Sequence, residues 1–181
     1  QMKKVFPAYF SNFQLPAAAK EQEIAVYRAC RTHKLERESF LCTYEENGFR
    51  ITAGGKEDDP QEYCMSTYAK LKDVRRFVVA DSKYQPPWTL AKGHTTVKDG
   101  VSCGTKEWKE KHKSSHVDDW LYEGAEPWTA FELIDYDVNP GDEIWMYNYV
   151  KENGYNYAAV KCESNTGDDY SVGFLWSPDS V

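Results

Sequence analysis

Read along the chain, apolar and polar positions alternate in some stretches and recur at helical spacing in others. Glu23 to Arg31 alternates around Ile24, Val26 and the Tyr27-Arg28 pair, which predicts a buried strand. Leu71, Val74, Phe77 and Val78 form one apolar stripe, with Lys70, Lys72, Arg75 and Arg76 opposite. That spacing predicts a helix over 69–80. Trp88 to Lys92 and His116 to Tyr122 again read as strands. Three further strands are predicted near the end of the chain, at Glu143–Val150, Asn156–Cys162 and Tyr170–Trp176. Asn139-Pro140-Gly141-Asp142 and Glu152-Asn153-Gly154 supply turns between them, the latter closing a hairpin.

Shorter signals fill the gaps. Ala17 to Glu23 consists mainly of good helix formers and predicts a short helix. Ser39 reads as the N-cap of another that ends at Asn47-Gly48. Residues 54–60 form a Gly- and Asp-rich loop, and Pro86-Pro87 breaks the helix before them. Val97 to Ser115 is polar and Lys-rich and reads as a long loop, while Pro127 to Leu133 reads as a short helix. An N-terminal strand and short helices, followed by a C-terminal antiparallel meander of about three strands, predict an α+β fold. The 181 residues suit a single domain over 1–181.

Composition narrows the setting. Five cysteines without C-x-x-C spacing suggest buried free thiols rather than a disulfide framework or a zinc ribbon. After Met2-Lys3-Lys4, Pro7, Ser11, Asn12 and Gln14 interrupt any leader-like apolar run, and no stretch approaches membrane-span length. The expectation is a cytoplasmic chain with no membrane partner.

Charge adds an asymmetry. Residues 1–113 hold 20 Lys/Arg against 15 Asp/Glu, whereas 114–181 hold Lys151 and Lys161 against 14 acids. The second part also carries 13 of the 27 aromatic residues. The whole protein is acidic and its bases alternate with acids, which argues against direct nucleic-acid binding. Either the two parts neutralise one another, or the acidic aromatic part engages a basic protein surface. The second alternative gives the leading functional expectation. It is a non-enzymatic interaction protein without a cofactor, such as a phage-type inhibitor that imitates nucleic acid on a nucleic-acid-binding enzyme. Its expected contacts are Asp118, Asp119, Trp120, Glu123, Glu126, Trp128, Asp168 and Asp169.

Candidate chemistry is sparser. His94-Thr95-Thr96-Val97 matches the His-x-Thr-apolar element of two-histidine phosphoesterases, but the next candidate, His116-Val117-Asp118, has Asp where a hydroxyl is needed. His112 and His116 are four residues apart, near Cys103 and Asp118, yet the Ser114-Ser115 link argues against one helix face, and no metal is assigned. Cys103 lies near Lys106 in a glycine-flanked segment that would expose a thiolate.

One ordered pattern suggests an enzyme. Tyr27-Arg28 on a strand, Ser66-Thr67 before a helix, and Asp142-Glu143-Ile144 opening a later strand resemble the Arg…Ser-Thr…Glu pattern of ADP-ribosyltransferases. The resemblance implies NAD as cofactor, held by Arg28, Ser66 and Thr67, with Glu143 orienting the nucleophile or ribose. The chain departs from the pattern at Gly141, where a second Glu or Gln would stand, and at Tyr68, where a second Ser would stand. The alternative for the same residues is an Arg28 paired with a carboxylate and a Ser66 that caps the following helix.

Overall fold

The alternation around Val26 becomes strand β1 (Ala25–Cys30) in the computed structural model, which describes residues 4–82 and 89–134 and the strands 156–163 and 169–176. Val26 and Cys30 turn to one face, while Tyr27 and Ala29 turn to the other, as the two-residue period of a strand requires. Both faces are covered, so β1 lies in the interior of the fold. A short helix, α1 (Thr43–Glu46), follows, capped by Cys42 and ended by Asn47. Gly48 then takes a φ of 66°, which a residue without Cβ adopts at no cost. The predicted stop is therefore correct. Ser39, however, ends a 3₁₀ turn (Arg37–Ser39) instead of capping the helix.

Strand β2 (Met65–Tyr68) leads into α2 (Leu71–Ser82), whose Leu71, Val74, Phe77 and Val78 pack on Tyr27, Ala29 and Leu90. Strand β3 is Thr89–His94, β4 is Gly100–Gly104, β5 is His116–Leu121 and β6 is Phe131–Ile134. They form one six-stranded sheet in the order β4-β5-β2-β1-β3-β6, with every neighbouring pair antiparallel. The fold is thus α+β, but its main sheet is larger than predicted and is built from residues 25–134.

Several expectations change. The loop predicted over 97–115 contains β4, and the helix predicted at 127–133 is a 3₁₀ turn (Pro127–Ala130) followed by β6. The segment from Ala17 is not helical, because tertiary packing overrides its propensity. Ala18 and Ala19 lie with Phe6, Tyr9, Phe10, Phe13 and Leu15 against buried Tyr63 and Trp120. The charge reversal near Ser114 is not a structural boundary, since β5 from the acidic part pairs with β2 and β4 from the basic part.

The last two described strands, β7 (Asn156–Glu163) and β8 (Asp169–Trp176), pair antiparallel from Asn156↔Trp176 to Glu163↔Asp169, as the last two strands of the predicted meander do, whereas the hairpin predicted at Glu152-Asn153-Gly154 falls outside the described residues. The strand predicted at 143–150 and both turn sequences fall outside the described residues. Among the described residues no helix is long and apolar enough to cross a membrane.

Gly93 marks how tightly the β3 side is built. A Cβ there would run into the Ala130 carbonyl and the Phe131 ring that covers β3. Gly93→Ala is expected to lower stability by about 1–3 kcal/mol through overpacking. Urea denaturation would show this as a lower midpoint with an unchanged slope.

Candidate functional site

Strands β1 and β3 are in register over six residue pairs, but β1 and β2 meet only at Tyr27↔Tyr68. Beyond that pair, side chains have to fill the space that a backbone ladder leaves. Arg28 does so. Its guanidinium donates from Nε to the Ser39 carbonyl (3.0 Å) and from Nη1 to the Ser66 carbonyl (2.7 Å). Its Nη2 donates to the Leu41 carbonyl (3.2 Å) and to Glu46 Oε1 (3.0 Å). The planar fork of arginine suits this task, because several donors are fixed in one plane. Arg28 is buried at 7% exposure, so the Glu46 carboxylate and the three carbonyls replace its lost water.

A pocket of about 180 Å³ opens beside this contact. Its wall includes Arg28, Arg31, Thr43, Glu46, Ser66, Tyr68 and Phe77. Arg31 extends over it with Nη2 3.8 Å from Glu46 Oε2. The pocket therefore offers guanidinium groups, hydroxyls and two aromatic faces within one small volume. Three calls from the sequence meet here. Arg28 is paired with a carboxylate, Ser66 lies in β2 and does not cap α2, and both reach the same pocket. Thr67, by contrast, is fully buried and donates to the Val117 carbonyl, so it is not part of the wall. Glu143 lies outside the described residues.

The proposed acidic contact surface fares differently. Asp118, Asp119 and Trp120 are 0–2% exposed and belong to the interior of β5. A partner cannot reach them in this fold, which corrects their assignment as contacts. Trp120 belongs to the cluster on which the N-terminal aromatic segment packs and donates its indole N–H to the Pro60 carbonyl at 2.9 Å. Glu123 and Glu126 are exposed and Trp128 is half-buried. Asp168 lies outside the described residues, and for Asp169 the backbone of β8 is described.

The two aspartates of β5 point to opposite faces and meet opposite fates. Asp118 accepts from Trp108 Nε1 and Thr105 Oγ1 (both 2.9 Å), and from Gln61 Nε2 and the Cys64 thiol (both 3.3 Å). His116 Nδ1 lies 3.1 Å from Asp118 Oδ1, the oxygen that Gln61 and Cys64 also reach. Burial alone would raise this carboxyl, but hydrogen bonds from His116, Trp108 and Thr105 outweigh it and hold it below its ordinary value. Asp119 has an oxygen with no partner, and burial, with the nearby Asp99 charge, pushes its carboxyl up to about 8. Cys103, suggested as an exposed nucleophile, is buried on β4. Burial and then Asp118 and Glu107 push its thiol up to about 12, which keeps it protonated and unreactive. Among the described residues no cluster of His, Cys, Asp and Glu is placed to hold a metal ion.

A family model described as a protein of unknown function (DUF2712) matches residues 105–180, fewer than half of the chain. The match spans β5, β6 and the C-terminal hairpin and includes neither Arg28 nor Ser66. No curated protein and no solved structure matches the chain.

Two outcomes follow from these buried charges. Arg28→Ala leaves three carbonyls and Glu46 without their donor and is expected to cost about 3–5 kcal/mol. Arg28→Lys, which keeps the charge but not the fork, is expected to recover less than half of that loss in urea denaturation. For Asp119 the folded value lies above the unfolded one, so its proton is held in the folded state between about pH 4 and pH 8 and must be lost above that. Its contribution to stability is greatest at low pH and declines as pH rises through this window. Asp119→Asn is therefore expected to raise Tm more at pH 8.5 than at pH 5, and an equal shift at both values would contradict the assignment.

Proposed function

We propose that the chain binds NAD at the Arg28–Ser66 pocket and acts as an ADP-ribosyltransferase-like enzyme. The observation that carries this reading is that Arg28 and Ser66, 38 residues apart in sequence, share one pocket wall where β1 and β2 part. The chemistry of the wall supports it. Guanidinium groups suit phosphate oxygens, and Tyr68 and Phe77 present aromatic faces to a planar ring. The size of the pocket limits how much of the ligand it takes. Whole-ligand pockets run to about 300–1,000 Å³, so this space suits one ring with its sugar and leaves the rest of the dinucleotide outside. Glu143 has the ribose-orienting role that the resemblance implies. The acidic-surface reading has less support, because three of its contact residues are interior.

The division of labour between the arginines follows from their surroundings. Arg28 is committed to the scaffold through Ser39, Leu41, Ser66 and Glu46, so it lends positive potential to the pocket from behind its wall. Arg31, 44% exposed at its side chain, is placed to meet a phosphate directly.

The test is binding followed by chemistry. NAD at millimolar concentration is expected to raise Tm, and Arg31→Ala to weaken that binding roughly tenfold, the loss of about 1.4 kcal/mol. Tagged NAD is expected to label a protein or nucleic acid in native extract, and Glu143→Gln to abolish the labelling. If NAD neither shifts Tm nor yields any label, the reading is wrong.

A further inference from the structure

The connection from β5 to β6 is tied down along its length. The Tyr122 N–H donates to the Asp99 carbonyl at 2.7 Å, and the Glu126 N–H donates to Asp99 Oδ1 at 3.3 Å. Between them the Glu123 N–H donates to the Val5 carbonyl (2.8 Å), and the Ala125 N–H closes a turn on the Tyr122 carbonyl (3.1 Å). Gly124 supplies the positive φ, 74°, that suits the third position of such a turn. Asp99 is itself buried, so the turn is fastened to the interior.

This turn forms one wall of a second pocket, of about 210 Å³. The N-terminal aromatic segment and the link that leads into α1 form the others. Six lining residues are aromatic: Tyr9, Phe10, Phe40, Tyr63, Tyr122 and Trp128. The charged ones are Arg37, Glu45 and Glu123. Arg37 Nη2 lies 2.7 Å from Glu45 Oε1, so those two charges offset each other. Glu123 is exposed and has no cationic partner among the described residues. The pocket is left with one uncompensated negative charge. Of the contacts expected from the sequence, Glu123 and Trp128 meet here.

Ring faces are negative and a carboxylate beside them deepens the same potential, so both favour a cation. Tryptophan is the strongest ring for this purpose. Trp128 is half-buried, and among the described residues it has neither an aromatic partner nor an acceptor for its indole N–H. The chain itself sets a cation against one of the lining rings: Lys4 Nζ lies 6.0 Å from the Tyr122 centroid and 2.7 Å from Glu21 Oε1. The remaining acceptors decide which cation suits the pocket. A primary ammonium brings three N–H donors that need partners when it leaves water. Glu45 is already engaged by Arg37 and by the Cys42 N–H, which leaves Glu123 as the one uncommitted carboxylate. An ammonium whose hydrogens are replaced by methyl groups needs few acceptors or none, and its methyls pack on the rings.

We propose that this pocket binds a methylated ammonium group, with Trp128 supplying a ring face and Glu123 the counter-charge. Neither Arg28 nor Ser66 takes part, so the site stands apart from the NAD reading. Whole-ligand pockets run to about 300–1,000 Å³, so this smaller one takes a head group and leaves its carrier outside. The carrier is a choline-like small molecule or a methylated lysine side chain. The fastened turn holds Glu123 in place before the ligand arrives, which reduces the ordering cost of binding.

Calorimetric titration of the full chain with choline, with its neutral isostere 3,3-dimethylbutanol and with ammonium chloride tests the site. Choline is expected to bind saturably, and the isostere and the ammonium ion about tenfold more weakly or not at all. Glu123→Gln is expected to weaken choline about threefold, and Trp128→Leu about tenfold. Trp128 also packs on the core, so the Glu123 variant, altered on an exposed turn, is the decisive one. A short peptide with one trimethyllysine that displaces choline at lower concentration than choline itself requires identifies the lysine side chain as carrier. Weaker displacement, or none, identifies the small molecule. No saturable choline binding, an isostere or ammonium ion that binds as well as choline, or a Glu123→Gln variant that binds choline unchanged would each overturn the proposal.

Discussion

A guanidinium removed from water must find its partners inside the protein, and at Arg28 this requirement joins four parts of the chain. The side chain leaves β1 and binds the carbonyls of Ser39 and Leu41 in one connection, that of Ser66 on β2, and the carboxylate of Glu46 on α1. Where β1 and β2 stop pairing, those bonds replace the ladder. Arg28 therefore allows the central strands to part without exposing their polar groups, and the pocket exists because they part. An apolar residue at this position would close the sheet or leave its carbonyls unsatisfied, and either outcome removes the site.

Asp118 plays the complementary role two strands away. Its carboxylate collects donors from β5 itself, from the segment before β2 and from the turn after β4. Both ions are buried, and each is matched by groups that arrive from several elements. Buried charges of this kind specify geometry more than they add stability, because equally large apolar side chains would fill the same space at lower desolvation cost. Asp119 shows the contrast within one strand. The alternation of β5 sends it to the opposite face, among Met65 and Val117, where it lacks such donors and keeps its proton instead.

The elements that were legible in the sequence are those whose pattern is local. The stripe Leu71-Val74-Phe77-Val78 could lie only on a helix face, and β1 and β5 declared themselves by alternation. What stayed hidden was decided at a distance. The helix formers at Ala17–Ala19 were overruled by a surface of aromatic rings that the sequence does not bring together. Strand β4, with glycine at both ends, has too few apolar side chains to announce itself and is identified by its pairing to β5. The candidate site divides in the same way. Arg28 and Ser66 were recognisable as an ordered pair of residue types, but their meeting depends on strand pairing. Asp118 and Asp119 looked like surface charge because composition does not reveal which carboxylates have buried donors waiting for them.

Strand β2 is where these constraints meet. Ser66 presents its carbonyl to Arg28 on one flank, and Tyr68 presents its ring to His116 on the other. Four residues thus lie between a fixed cation and a histidine oriented by a fixed anion. Met65 and Thr67, fully buried, anchor the strand so that neither contact can drift. A pocket wall held from both sides is a rigid one, and rigidity is what positioned chemistry requires, because a displacement of about 1 Å can cost a hundredfold in rate. The cost of two buried charges is most readily understood as the means of fixing β2, with Ser66 and Tyr68 two residues apart on one short strand.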